Sequence, residues 1–165
     1  MSTLHTIDAG QTVNRLLGMF EVEEQEQLRA RLAEALRWVV SQRLVPRNGG
    51  GRYALLEIMG SSLRTQESIR LGESEGKSFY EIIEASQPFG WRTFDFSSLE
   101  AFEQGQITEE TALLHCTKRG AVARGMDSIK KARGDRATEL QTLRMKNGRD
   151  PASSAVQPPA ALKFK

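Results

Sequence analysis

Arg43-Leu44-Val45-Pro46-Arg47, then Asn48-Gly49-Gly50-Gly51, then Arg52-Tyr53-Ala54-Leu55-Leu56-Glu57-Ile58-Met59 reads as two β segments joined by a turn. Asparagine followed by three glycines supplies the positive backbone angles that a tight reversal needs, and Pro46 resists helix. The flanking segments are rich in the branched and aromatic residues that suit a pleated surface. A hairpin therefore sits inside a sequence that is otherwise patterned for helix.

Upstream of the hairpin, Asp8 has the chemistry of a helix cap. A helix from Ala9 to Phe20 sets Val13, Leu16, Leu17 and Phe20 on one face. A second helix follows, with Glu23, Glu24 and Glu26 in its first turn, where they complement the helix dipole. Its expected apolar stripe is Leu28, Leu32, Leu36, Val39 and Val40. Before both helices, Ser2-Thr3-Leu4-His5-Thr6 has the composition of the end of a strand. Downstream, short helices are expected over Ser62–Leu71, Ser78–Ala85, Phe94–Gln104, Glu109–Cys116 and Ala121–Arg133. Thr108 should cap the fourth of these, and Gly105 should close the one before it. The expected fold class is α/β, then mainly α.

The chain has 165 residues, of which 39% are hydrophobic and 27% charged, within the range of a protein that buries a core. Its longest apolar runs fall far short of the roughly 20 residues that span a bilayer. No apolar leader follows Met1, which points to a cytoplasmic protein. The single Cys116 has no disulfide partner and no cysteine neighbour at metal-ligand spacing, so it reads as a small core residue. From Lys118 to Lys165 there are 12 basic and 4 acidic residues, against 11 and 17 before Lys118. Beyond Gly134 the apolar content is too low to offset the entropy of ordering, so 134–165 reads as a disordered basic tail. That tail carries one aromatic, Phe164, and lacks the interleaved rings that stack bases. No nucleic-acid partner is expected.

Several stretches taken together resemble the secretion and pilus motor ATPases. Thr3-Leu4-His5-Thr6 resembles their histidine box. Asp8-Ala9, Met19-Phe20, Glu24-Gln25, Leu36-Arg37 and Ser41-Gln42-Arg43-Leu44 recur at that family's spacing downstream of the box. The extension motors carry zinc-binding cysteines after Gln-Arg-Leu, and Leu44 to Arg52 contains none. In this the segment is similar to the type IV pilus retraction (twitching motility) ATPases. Gly90-Trp91-Arg92-Thr93-Phe94-Asp95 and Gly105-Gln106-Ile107-Thr108-Glu109-Glu110-Thr111-Ala112 resemble two further motifs of the same group. The resemblance runs from Thr3 to Cys116.

The resemblance implies that residues 1–59 are the late half of a RecA-like P-loop ATPase domain and that residues 60–133 are a helical C-terminal domain. It implies a hexameric motor that uses ATP and Mg. The partners it implies are copies of this chain or P-loop-bearing motor subunits, and a pilus platform protein of the inner membrane. His5 would lie at the γ-phosphate side of an intact motor, although a lone histidine at a strand end also suits a structural role. The family's retraction motif is best placed over Ser68 to Glu75, where only Ile69, Arg70 and Glu75 agree. Gly72 inside such a helix costs about 1 kcal/mol relative to alanine.

No Gly-x-x-x-x-Gly-Lys-Ser/Thr occurs in the 165 residues, and no Walker B acid follows an apolar strand. Phosphoryl transfer depends on positioning phosphates and metal, so the chain alone is expected not to hydrolyse ATP. Two other readings stay open: a non-enzymatic module that docks on intact motor rings, and a remnant of a truncated gene. Arg43 and Arg47, beside the hairpin, suit either a solvated position or contact with a neighbouring subunit or phosphate. The aromatic set from Phe79 to Phe102 suits a small satellite core.

Overall fold

In the computed structural model, which describes residues 2–134, Asp8 caps α1 (Ala9–Leu17) by accepting from the Gln11 N–H at 2.8 Å. After α1 come α2 (Val22–Ala35), β1 (Trp38–Pro46), β2 (Arg52–Gly60), α3 (Leu63–Leu71) and α4 (Phe79–Ala85). A 3-10 turn (Gln87–Phe89), α5 (Phe94–Glu103), α6 (Glu109–His115) and α7 (Arg119–Arg133) complete the described chain. Ser62, Thr93 and Thr108 cap α3, α5 and α6 through their hydroxyls. Ser78 and Glu81 form a reciprocal capping box on α4. Of the expected tail at 134–165, Gly134 is described as the C-cap of α7 and residues 135–165 lie outside the described residues; no helix among those described is long and apolar enough to cross a membrane.

The hairpin forms as read. β1 and β2 are antiparallel, from Trp38 opposite Gly60 to Pro46 opposite Arg52. Gly49, Gly50 and Gly51 all take positive φ, which other residues resist. β1 starts five residues earlier than expected. Leu36 leaves helical geometry at ψ 124°, so Val39 and Val40 belong to the strand and not to the stripe of α2. The run Trp38-Val39-Val40 is β-favouring, and in a ladder it gains partners that a fifth helical turn would not supply. Phe20 is likewise 47% exposed, because α1 stops at Leu17 and Gly18 caps it. Residues 2–6 form no strand. An extended segment becomes a strand only by pairing, and among the described residues nothing lies alongside to pair with it.

The inward face of the hairpin divides two cores. At one end Val39 and Met59 meet α1 through Val13 and Leu17, α4 through Phe79 and Ile83, and Ile69 of α3. At the other end Val45 and Leu55 meet Phe94 of α5, Ala112 of α6, and Val122 and Met126 of α7. The aromatics thus split between the two: Phe79 and Trp91 join the first core, Phe94 the second, and Phe89 stays exposed. Arg92 extends the sheet by one bridge, its backbone exchanging hydrogen bonds with Ile58 at 2.8 and 3.1 Å.

Gly60 is the tightest point of this packing. A Cβ there would sit 2.7 Å from three atoms of the buried Trp91 indole. Gly60→Ala should cost about 1–3 kcal/mol through overpacking, read as a lower urea midpoint. A midpoint equal to wild type would contradict the close approach.

Candidate functional site

The structure separates the residues singled out for the retraction motif. Ile69 is buried in the first core, Arg70 lies on the surface paired with Glu34 of α2 at 3.1 Å, and Glu75 is exposed. Gly72 is not inside a helix. It is the C-cap of α3 at φ +89°, where glycine is the favoured residue, so the expected helix-interior cost does not arise. His5 is exposed, and its carbonyl accepts from Arg15 at 3.4 Å. Arg70 pairs with Glu34 and the His5 backbone with Arg15, so these residues do not form one cluster.

A different set converges. Glu57 projects from β2 to the N-terminus of α1, where its Oε1 accepts the Ala9 N–H at 2.8 Å. Burial pushes its carboxyl up to about 7, and the neighbouring Asp8 adds to the rise, against the Ala9 bond and Arg43. Beside it lies a cavity of about 240 Å³ lined by Asp8, Gln11, Asn14, Glu57, Glu73 and Tyr80 among others. The lining has three acidic side chains and no Lys or Arg to meet a triphosphate, so the cavity does not fit ATP. Among the described residues, no group of three or more His, Cys, Asp or Glu side chains is placed to hold a metal.

Asp95 and Arg43 fasten the elements around this cavity. Asp95, in the first turn of α5, is buried. It accepts from Tyr80 Oη at 2.8 Å, Thr117 N–H at 2.5 Å and Lys118 N–H at 2.8 Å. It thereby ties α4, α5 and the entry to α7 through one carboxylate. The Tyr80 hydroxyl is pushed up by burial and by its bond to Asp95. Arg43 stacks 3.8 Å from the centre of the Phe94 ring and donates to the carbonyls of His115 at 2.6 Å and Ile7 at 3.3 Å. Both of its terminal nitrogens therefore bond within the chain. Arg47 bonds Gln106 at 2.8 Å on the surface. Cys116 packs against the second core, where burial pushes its thiol up.

Glu57, Asp95 and Tyr80 did not stand out from sequence as interacting residues. Glu57 carried a signal, being a carboxylate within the apolar run Leu55 to Met59, where a buried acid needs a donor. Asp95 was legible only as part of a helix start, because its partners at 80, 117 and 118 are distant in sequence.

No family model matches the chain. It is 34% identical over 110 residues to the type IV pilus retractation ATPase PilT of Pseudomonas aeruginosa, covering 67% of this chain and 31% of that protein. It is 32% identical over 116 residues to the type IV pilus ATPase PilU of the same organism, covering 70% and 30%. The fold is similar to the crystal structure of the pilus retraction motor PilT with bound ADP, with a TM-score of 0.60 and 27% identity over 73% of this chain and 33% of that one. The chain spans about a third of the length of the relatives it matches.

Proposed function

The chain is a homologue of pilus retraction ATPases over about two thirds of its own length and a third of theirs, and from that premise we propose that it is the C-terminal portion of a hexameric type IV pilus retraction motor. Residues 1–59 supply the late part of a RecA-like domain, and residues 60–133 the helical domain beyond it. The observation that carries the reading is that sequence similarity and fold similarity to a retraction motor each extend over about two thirds or more of the chain.

In this reading the chemistry of ATP and Mg takes place on a P-loop carried by the rest of the motor. The 165 residues hold no phosphate-cradling glycine loop, and the acidic lining beside Glu57 is unsuited to phosphate. His5, on the exposed segment before α1, faces the γ-phosphate side of the assembled site. Ile69, Arg70 and Glu75 belong to the retraction element, and the inner-membrane platform protein of the pilus is the partner on the cytoplasmic side.

Phosphate release from ATP with Mg tests this. The purified chain alone should stay at the buffer level. When it is mixed with a P-loop-bearing motor subunit of its own host, the His5→Ala variant should give slower turnover than wild type. Turnover by the chain alone would sink the reading, and an unchanged rate with His5→Ala would remove the role given to His5.

A further inference from the structure

Three carboxylates meet where α1 and α4 begin, and each is tied down by one oxygen. Asp8 Oδ1 accepts the Gln11 N–H at 2.8 Å, Glu57 Oε1 the Ala9 N–H at 2.8 Å, and Glu73 Oε1 the Phe79 N–H at 2.7 Å. Among the described residues the second oxygen of each makes no hydrogen bond, and none of the three acids joins an ion pair. Glu57 is 4% exposed, so its unbonded oxygen has little water to turn to. Ser41 stands opposite it in the ladder, yet the buried Ser41 hydroxyl makes no hydrogen bond. A carboxylate so placed needs a cation or a proton.

All three acids line the cavity of about 240 Å³, which also takes apolar surface from Ala9, Phe79 and Ile83. Gly10 leaves a particular point of it empty. A Cβ there would lie 3.5 Å from Asp8 Oδ1, 3.6 Å from the Phe79 ring and 3.7 Å from Glu73 Oε2. The cavity has room for several waters or one small organic molecule. The acids are not placed to hold a metal, but hydrogen bonds from a charged N–H span a longer distance than metal bonds do. An ammonium carries three N–H donors, one for each acid. A guanidinium fits less well, because its fork seeks both oxygens of one carboxylate, and here one oxygen of each is already bonded.

We propose that this cavity binds a primary alkylammonium group, with its N–H donors on Asp8, Glu57 and Glu73 and its stem against Ala9, Phe79 and Ile83. A free aliphatic amine and the lysine side chain of another protein both present that group. The site does not depend on the motor assignment. Without the amine, Glu57 keeps its proton instead. Asp8 of α1 pushes the Glu57 carboxyl up, Arg43 and Ser41 of β1 pull it down, and Glu73 and Tyr80 share the cavity with it. For a carboxyl at about 7, the ionised share falls about tenfold from pH 8 to pH 6, while an alkylammonium, like lysine, stays charged throughout. Amine and proton therefore compete for Glu57.

Calorimetric titration of the purified chain with butylamine at pH 8 tests the site. Saturable binding is expected, about tenfold or more tighter than that of butanol, which has the stem without the charge, or of tetramethylammonium, which has the charge without N–H donors. Gly10 does not take positive φ, so alanine suits the helix there. Gly10→Ala should keep the urea midpoint or raise it, and should weaken butylamine binding by about tenfold or more by filling the point between Asp8 and Glu73. Glu73→Gln, at an exposed position, should weaken binding to a similar degree and decides the matter if Gly10→Ala does not fold. Wild-type affinity should fall about tenfold from pH 8 to pH 6, and Glu57→Gln should abolish that dependence.

Butylamine binding no tighter than that of butanol or tetramethylammonium, or left unchanged by Gly10→Ala and Glu73→Gln, would overturn the site. A peptide with one internal lysine supplies the remaining arm. Competition with butylamine would uphold the site and assign it to a partner's lysine. Butylamine binding that the peptide does not displace would uphold it as a site for a free amine.

Discussion

Asp95→Ala should cost the chain about 3 kcal/mol or more, the largest loss expected from any single polar substitution. The carboxylate accepts from Tyr80, Thr117 and Lys118, and its removal leaves two backbone N–H groups and a phenol without an acceptor. A buried donor stripped of its partner costs roughly 1–3 kcal/mol, and here three share one anchor. Asp95→Asn should fall between alanine and wild type. Its single carbonyl still serves some donors, while its NH₂ faces groups that are themselves donors. Tyr80→Phe removes one bond of the three and should cost about 1 kcal/mol. Urea unfolding of the three variants checks the order. Equal midpoints for Asp95→Ala and wild type would mean that the carboxylate does not join α4, α5 and α7.

The second large effect is a pH dependence of unusual sign. Burial raises the Glu57 carboxyl from 4.5 in the unfolded chain to about 7 in the folded one, so the folded state holds this proton more tightly. The resulting stability is fully present below pH 4.5 and is lost as pH rises through 7. At about 1.4 kcal/mol for each pH unit between the two values, the loss approaches about 3 kcal/mol. The usual carboxylate, held low by hydrogen bonds, acts the other way; Glu81, lowered by the Ser78 hydroxyl, is one. Glu57→Gln keeps an acceptor for the Ala9 N–H and cannot ionise. The variant should be more stable than wild type at pH 8, and its stability should vary less between pH 5 and pH 8. Parallel pH profiles for wild type and variant would show that Glu57 does not titrate in this range.

Local signals made most of the elements readable. Asp8, Ser62, Ser78, Thr93 and Thr108 sit where helices begin, and Asn48 to Gly51 sits where the chain reverses. These features act over three or four residues, the distance at which a sequence can be read directly. The errors came where two local codes overlap or where a partner is remote. Val39 and Val40 satisfy both the helical stripe of α2 and a strand, and only the ladder with Ile58 and Met59 decides between them. Gly72 reads as a defect inside a helix until the end of α3 is known.

The site was legible to a smaller degree. The family resemblance was readable from motifs at fixed spacing from Thr3 to Cys116, and the relatives bear it out. The convergence of Glu57 on α1 and of Asp95 on Tyr80, Thr117 and Lys118 spans 48, 15, 22 and 23 residues. Nothing in the spacing of those residues announces it. The exposure of the outer face of β1 was hidden for a related reason. Val40 reads as part of the buried stripe of α2 until the structure shows it 60% exposed.

Native mass spectrometry of the chain, purified with a mild tag from its own host, tests the motor assignment most directly. The account predicts a complex that contains a polypeptide bearing Gly-x-x-x-x-Gly-Lys-Ser/Thr, identified by its sequence, in a stoichiometry that fits a six-fold ring. Recovery of the chain as a stable monomer, with no P-loop polypeptide at any salt concentration, would contradict it.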